Sequence, residues 1–308
     1  MHRRTFLNRT LIAAAGAGAT WFDVPSVIAD TREQSLKKYG GFPMGIQSYS
    51  LRAFGIDGAL EKIEELELHF VELFRMHYPP IPDPLKIAEM NAKLRKHDLS
   101  ISAHGVQSFT KDHQKNKAFF EFAKKAGIRN ISANPEKDSF ESLNRLVAEY
   151  DIRIAIHNHG PGALYDAPLD ALKAVAGYDK RIGFCADLGH YIRSGVDPVE
   201  VIYQLGDRLY GVHLKDFAEQ KKKTEGVIIG RGHLDVEGVF KALKKIGFPA
   251  DGALSLEYEE NPKDPMEDIR ACLNVAAEAA QRAARSSNDR RGDLFVHQRS
   301  PTYQAFFA

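Results

Sequence analysis

Short apolar runs and longer amphipathic segments alternate along most of the chain. Each short run has the length and the flanking turn residues of a buried strand, and each longer segment has apolar residues at helical spacing. The predicted strands cover residues 43–48, 70–74, 100–105, 128–133, 152–157, 181–187, 209–213 and 253–257. The predicted helices cover residues 58–68, 83–97, 114–127, 139–150, 168–177, 198–206, 236–247 and 264–284.

Strand–helix units that repeat about every 25 to 35 residues are typical of a (β/α)8 barrel. A doubly wound sheet also alternates, but its usual nucleotide site needs a glycine-rich turn after an early strand, and the sequence has none there. The units share no repeated motif, so a solenoid is excluded. We therefore predict an α/β fold, a single-domain TIM barrel over residues 42–285.

The alternation of side chains within the predicted strands supports a barrel with a polar mouth. In the fifth strand Ile154 and Ile156 are expected to face outward towards helices, while Ala155 and His157 face inward. In the eighth strand Glu257 is expected to face inward in the same way. Small inner residues below a polar strand end leave room for a site at the carboxyl end of the strands, where barrel enzymes carry their chemistry.

The two ends of the chain differ in character from the barrel. Residues 1–29 are typical of an export signal: Arg3 and Arg4 resemble the twin-arginine pair, a short apolar segment follows, and Val27-Ile-Ala29 offers a cleavage site. The apolar segment is too short to span a membrane, so no stable membrane anchor is expected. We predict a linker over residues 30–41, a poorly ordered tail over residues 286–308, and an exported, periplasmic protein.

Composition removes several classes of function. The formal net charge of the 308-residue chain is +1, and no basic stripe with interleaved aromatic residues is evident, so nucleic acid is not an expected partner. Two cysteines are too few for a disulfide framework, and Cys185 and Cys272 are predicted to be unpaired. A homo-oligomeric state is left open.

Six predicted strands end in an imidazole or a carboxylate. Four of these groups follow one another on strands five to eight, and an array of histidine and acid at one edge of a barrel suits one divalent cation such as Mn, Co, Zn or Fe. Burying carboxylates without a cation would be costly, which favours a metal site over a purely hydrogen-bonded polar core. The six are Glu72, His104, His157, Asp187, His213 and Glu257.

Several short motifs resemble those of the sugar phosphate isomerase/epimerase group, the xylose isomerase-like barrels. They are His157-Asn-His-Gly160, Asp187-Leu-Gly-His190, Val212-His-Leu-Lys-Asp216, Gly230-Arg-Gly232 and Leu256-Glu-Tyr258, and the resemblance runs from about residue 43 to 282. It implies one divalent ion, often Mn or Co, held by His157, Asp187, His213 and Glu257. Where the epimerases usually have glutamate on strand five this chain has His157, and a His-x-His there is more similar to the inosose dehydratase branch.

The remaining roles follow from the chemistry expected at such a centre. Glu257 is the candidate base for removal of a proton beside a carbonyl, and Lys215 is expected to stabilise the resulting oxyanion. His190 is expected either to bind a substrate hydroxyl or to act as a second acid/base. Substrate recognition is assigned to Glu72, His104, His159 and Arg231, with His159 also considered as an alternative metal ligand or as a group that supports one.

These features lead to a divalent-metal-dependent isomerase or epimerase of an unphosphorylated sugar, keto-sugar or cyclitol, acting through an enediolate. The alternative is a keto-sugar or inosose lyase or dehydratase that uses the same metal site, which the histidine at position 157 favours. A third hypothesis is a non-catalytic exported sugar-binding protein that kept the barrel.

Overall fold

The computed structural model describes residues 25–285 of the chain. Within them, eight parallel strands close into a barrel in the order β1-β10-β7-β6-β5-β4-β3-β2. The barrel strands are β1 Met44–Gln47, β2 Phe70–Leu73, β3 Ser100–Phe109, β4 Asn130–Pro135, β5 Arg153–His157, β6 Ile182–Asp187, β7 Leu209–Leu214 and β10 Ala253–Leu256. The predicted TIM barrel is confirmed.

The described helices alternate with the strands, and several begin at an aspartate that caps the first turn. Asp83, Asp112, Asp197 and Asp235 each accept a hydrogen bond from a backbone N–H of the helix that follows. The helices are α1 Pro25–Lys38, α2 Ile56–Glu65, α3 Pro84–Lys96, α4 His113–Ala126, α5 Phe140–Tyr150, α6 Pro168–Ala174, α7 Leu188–Arg193, α8 Pro198–Leu205, α9 Val236–Ile246 and α10 Met266–Arg285.

The core has an outer and an inner part, as the strand alternation predicted. Ile154 and Ile156 belong to the large apolar layer between the barrel and the helices. Ala155 lies inside the barrel in a small separate cluster with Cys185 and Tyr210. Cys185 and Cys272 are both buried and free, so the expectation of unpaired cysteines is confirmed.

Three elements differ from the sequence-based expectation. Residues 30–38 of the predicted linker belong to α1, which is fixed to the barrel because Arg32 donates to Asp98 and Ser100. The segment directly after Asp187, where no helix was predicted, forms the short helix α7. A two-stranded antiparallel ribbon, β8 Asp216–Phe217 and β9 Gly226–Val227, extends the loop after β7.

The predictions for the two ends of the chain concern mostly residues that the structure does not describe. Residues 1–24 of the predicted export signal and the whole predicted tail over 286–308 lie outside the described residues. Across residues 25–285, every helix is too short or too polar to cross a lipid bilayer.

Candidate active site

The side chains predicted from strands five to eight meet at one point inside the barrel mouth. His157 ends β5, Asp187 ends β6, His213 lies in β7 and Glu257 directly follows β10. One ligand atom from each lies within 4.8 Å of the others, and all four residues are buried. His157 Nε2 is 3.1 Å from His213 Nδ1, and His213 Nδ1 is 3.2 Å from Glu257 Oε2. This arrangement could hold one metal ion.

Two observations show that the four residues suit a cation. Asp187 Oδ2 is buried and accepts no hydrogen bond, although it lies 3.6 Å from His157 Nε2 and 3.8 Å from His213 Nδ1. An orphaned buried carboxylate oxygen is costly unless a cation or a donor satisfies it. Mixed imidazole and carboxylate donors at this spacing suit Mn, Co, Zn or Fe.

Glu72 fixes the orientation of His213 from below the site. His213 Nε2 lies 3.0 Å from Glu72 Oε2, and Ser255 Oγ donates to the same oxygen at 2.9 Å. Ser132 Oγ donates to the other oxygen of Glu72. Since the carboxylate accepts the Nε2 proton, Nδ1 is the atom of His213 that faces the other ligands and that would offer its lone pair to a bound metal.

Asp187 is held by its backbone and by one of its two oxygens. Asn158 donates to the carbonyl of Asp187 at 2.9 Å and accepts from its N–H at 2.7 Å. Asp187 Oδ1 caps α7 by accepting from the backbone N–H of His190 at 2.8 Å. Gly189 permits this helix to approach β7, because a Cβ there would lie 2.8 Å from Cγ of Lys215. The capped geometry leaves Oδ2 directed at the site.

Lys215 places an ammonium group beside the ligand cluster. Its Nζ is 3.0 Å from Glu257 Oε2 and 3.7 Å from Asp187 Oδ2, and it also donates to Glu259. Burial alone would lower the pKa of Lys215, but Glu257, Asp187 and Glu259 raise it above its ordinary value. Lys215 is therefore a hydrogen-bond donor at this site and not a base.

The carboxylates of the cluster are held in their ionised forms. Burial favours the protonated acids, yet Lys215 and His213 hold the pKa of Glu257 below its usual range, and His190 and Lys215 do the same for Asp187. Burial, reinforced by His213, lowers the pKa of His157 well below its ordinary value. A neutral imidazole beside two carboxylates is the protonation pattern that a metal site requires.

Two further histidines line the outer part of the site. The ring of His159 lies 4.6 Å from that of His157, between centroids, and 5.8 Å from that of His190. His190 Nε2 is 3.7 Å from Asp187 Oδ2. Burial lowers the pKa of His190 to about 4 and also lowers the pKa of His159. Both are therefore neutral near pH 7, so they offer hydrogen bonds to a substrate without adding charge.

The profile of a family described as "Xylose isomerase-like TIM barrel" matches residues 60–276. The chain belongs to this family. The matched segment carries the ends of strands β5, β6, β7 and β10, and hence all four clustered ligands.

Relatives of this xylose isomerase-like barrel include an inosose dehydratase from Clostridium botulinum (strain Eklund 17B / Type B). It is 32% identical over 143 residues, which cover 41% of this chain and 47% of that protein. The chain spans about half the length of the curated relatives that it matches.

Solved structures resemble the barrel over nearly their whole length. An uncharacterised protein from Parabacteroides distasonis is 26% identical with a TM-score of 0.59, covering 78% of this chain and 98% of that one. A D-tagatose 3-epimerase-like protein is 19% identical with a TM-score of 0.63, covering 81% and 100%, and at this identity it shows the fold alone.

Two residues predicted to bind substrate have other positions in this xylose isomerase-like barrel. Glu72 is fully buried below the ligands, where it is bonded to His213 and two serines. His104 faces the helix layer, where its Nε2 lies 2.8 Å from the carbonyl of Tyr78 and its ring packs against Phe119 and Phe122. The predicted contacts of Glu72 and His104 with substrate are therefore wrong.

Arg231 is exposed on the loop after β9, and closure of this residue over a substrate stays a prediction. The loop around it is anchored by the carboxylate of Asp216, which accepts backbone hydrogen bonds from both flanking glycines, Gly230 and Gly232, at 2.9 Å. His233 and Leu234 donate to the same carboxylate.

Sequence reasoning missed three residues of the site. Asn158 brackets Asp187, Glu259 pairs with Lys215, and Arg193 contacts His190. The signal for Asn158 and Glu259 was available, because each directly follows or nearly follows a predicted ligand at a strand end. Arg193 could have been found only by expecting α7, in which positions 190 and 193 lie on one face.

Proposed function

We propose that this chain is a divalent-metal-dependent enzyme that removes a proton beside the carbonyl of a keto-sugar or cyclitol and then expels a β-hydroxyl, a lyase or dehydratase reaction. The observation that carries the proposal is the asymmetry of the site. Glu257 is paired with the ammonium group of Lys215, whereas His157, His159 and His190 are imidazoles whose pKa burial lowers.

The metal would be held by His157, Asp187, His213 and Glu257. A divalent ion bound there would polarise the ketone and stabilise the negative charge that develops on its oxygen. His213 is kept in the correct tautomer by Glu72, so the ligand geometry is set before substrate enters.

Glu257 is the residue we assign to proton removal. Its Oε2 contacts His213 Nδ1 and Lys215 Nζ, so Oε1 is the atom assigned to accept the proton. Lys215 gives a proton to the departing hydroxyl, which leaves as water. The proton on Oε1 of Glu257 is then released to water, and Lys215 takes up a proton from water, which restores both residues.

Elimination is favoured over epimerisation because the site has one suitable base. Inversion at a carbon needs a second base on the opposite face of the substrate, and His157 stands where the resemblance implies a glutamate. As a metal ligand, His157 would have its lone pair committed. The similarity to the inosose dehydratase from C. botulinum also favours elimination.

The second candidate is an isomerase or epimerase acting through the same enediolate. Lys215 favours it, because an ammonium group beside Glu257 can return a proton to the neighbouring carbon instead of to a hydroxyl. The two candidates share every step up to proton removal and differ only in what the deprotonated substrate does next.

Proton NMR in D₂O separates the candidates. Metal-loaded protein is incubated with 2-keto-myo-inositol, D-fructose and D-tagatose as probes. Loss of water from a probe supports the lyase, whereas deuterium incorporation with an isomeric product and no elimination supports the isomerase or epimerase. Binding of a probe without exchange at any carbon would contradict both and favour the non-catalytic sugar-binding protein.

We also propose that the protein is exported through a twin-arginine signal, on the basis of Arg3 and Arg4 and the apolar segment that follows. The test compares the fraction of wild-type protein and of an Arg3→Lys, Arg4→Lys variant recovered in the periplasm. Equal recovery of the two would contradict the proposal.

A further inference from the structure

Arg193, at the last residue of α7, reaches back to the histidine one turn before it. Its Nη1 lies 3.2 Å from His190 Nδ1. The same guanidinium donates from Nε and Nη2 to the backbone carbonyl of Lys222, at 3.1 and 2.6 Å. Lys222 lies in the loop between β8 and β9, so Arg193 joins this ribbon to His190.

The chemistry of the pair fixes where His190 carries its proton. A guanidinium has only donors, so His190 Nδ1 must present its lone pair to Arg193. The proton of the neutral ring then lies on Nε2, the atom 3.7 Å from Asp187 Oδ2 at the mouth of the site.

The guanidinium is confined on two sides. A Cβ on Gly160 would lie 3.0 Å from Cζ of Arg193, so the glycine leaves the space that the guanidinium occupies. Cζ lies 5.3 Å from the ring centroid of Phe217, and the ring of His190 stacks on the same phenyl ring at 6.2 Å and 17°. Arg193 and His190 are therefore packed against one aromatic surface, which holds their contact in place.

We propose that Arg193 is a positioning residue that holds His190 as a fixed Nε2–H donor to an oxygen of the bound substrate. With Nδ1 occupied by Arg193, His190 has no second nitrogen free to take up a proton, so it acts as a neutral electrophile and not as a proton shuttle. The identity of the acceptor as a substrate oxygen rests on the proposed function. The tautomer of His190 does not.

The proposal decides between the two roles that the sequence left open for His190. It assigns hydrogen-bond donation to a substrate hydroxyl or carbonyl and excludes the second acid/base. It also gives the ribbon a role, because the carbonyl of Lys222 directs two of the guanidinium donors and thereby aims the third at His190.

The test is ¹⁵N NMR of the histidine rings in the full-length protein, with and without Zn²⁺. In the wild type we expect His190 with a protonated Nε2 and a hydrogen-bonded, unprotonated Nδ1. Arg193→Met should move the Nδ1 resonance downfield as the hydrogen bond is lost, and Arg193→Lys should restore part of the shift. Lys222→Ala keeps the carbonyl and should leave the resonance in place.

A wild-type His190 protonated on Nδ1, or an Nδ1 resonance that Arg193→Met does not move, would overturn the proposal. If Arg193→Met does not fold, the wild-type spectrum and the spectrum of Arg193→Lys still test the proposal.

A double-mutant cycle measured by deuterium uptake from D₂O into 2-keto-myo-inositol is the functional test. Arg193→Met should reduce uptake in the wild-type background and have no further effect beside His190→Gln, whereas additive losses would contradict action through His190. Since the NMR arm needs no substrate, its failure is distinct from failure of the proposed lyase.

Discussion

His213 Nε2 lies 3.0 Å from Glu72 Oε2, and this contact ties the metal-facing histidine to a carboxylate buried below it. Burial raises the pKa of Glu72, but His213 and the hydroxyls of Ser132 and Ser255 hold it below its ordinary value. Glu72 is thus an ionised acceptor for three donors, and no amide could replace it, because an amide oxygen carries fewer acceptor sites and its nitrogen adds donors.

The first prediction concerns this contact. Glu72→Gln should weaken metal binding about 10- to 100-fold, because His213 loses the partner that orients its lone pair. It should also lower the free energy of unfolding by roughly 1–3 kcal/mol, since a buried donor is left unpaired. Zn²⁺ competition with a chromophoric chelator measures the affinity. Retention of wild-type affinity in a folded variant would show that Glu72 does not support the site.

The second prediction tests the ligand assignment. Asp187→Asn and His213→Ala should each lose the bound metal, with affinity reduced by more than the roughly 100-fold expected for a supporting residue. Elemental analysis of the purified variants gives the stoichiometry. His113→Ala is the control, because His113 lies on α4 and contacts Ser142. Stoichiometric metal in both site variants would mean that other residues bind it.

Much of the barrel could be predicted from the sequence. Its strands are buried on both faces and therefore appear as apolar runs, and its helices are buried on one face and therefore show helical periodicity. The four ligands could also be predicted, since the carboxyl ends of parallel strands meet at one edge. The predicted orientation of the His104 side chain was wrong. Register between β2 and β3 shifts after Val71, so that Glu72 pairs with Ala103 and one residue of β3 is unmatched.

That bulge explains the error. An extra residue in one strand moves every later side chain to the opposite face, and the alternation that should have placed His104 inside the barrel instead places it against the helices. The position of a bulge depends on pairing between two strands, which one strand's sequence does not reveal. The ribbon β8–β9 was missed for a related reason, because strands of two residues are too short to show any periodicity.

The third prediction follows from the position of His104. Burial lowers its pKa to about 4, while an unfolded chain protonates histidine near 6.5. The unfolded state therefore binds more protons between these values, and the contribution of His104 to stability falls by about 3 kcal/mol as pH drops from about 6.5 to 4.

His104→Phe isolates this effect. Near pH 7.5 the variant should be less stable by roughly 1–3 kcal/mol, because the carbonyl of Tyr78 loses its donor. Towards pH 4 the difference should shrink or reverse, since phenylalanine cannot be protonated. Urea unfolding of both proteins across this range measures it, and metal content should be the same in both. A difference that does not change with pH would contradict the neutral, buried state of His104.

The fourth prediction separates chemistry from metal binding at Glu257. Glu257→Gln keeps the shape of the side chain and one oxygen that can face the ion, so the metal should remain bound or be modestly weakened. The amide cannot accept a proton at neutral pH, so deuterium uptake from D₂O into a keto-sugar probe should fall by about 10²-fold or more.

Lys215→Met, which removes the ammonium 3.0 Å from Glu257, should slow product formation more than it weakens metal binding. Metal content and deuterium uptake measured in the same preparations distinguish these outcomes. If Glu257→Gln exchanges at the wild-type rate, a residue other than Glu257 is the base.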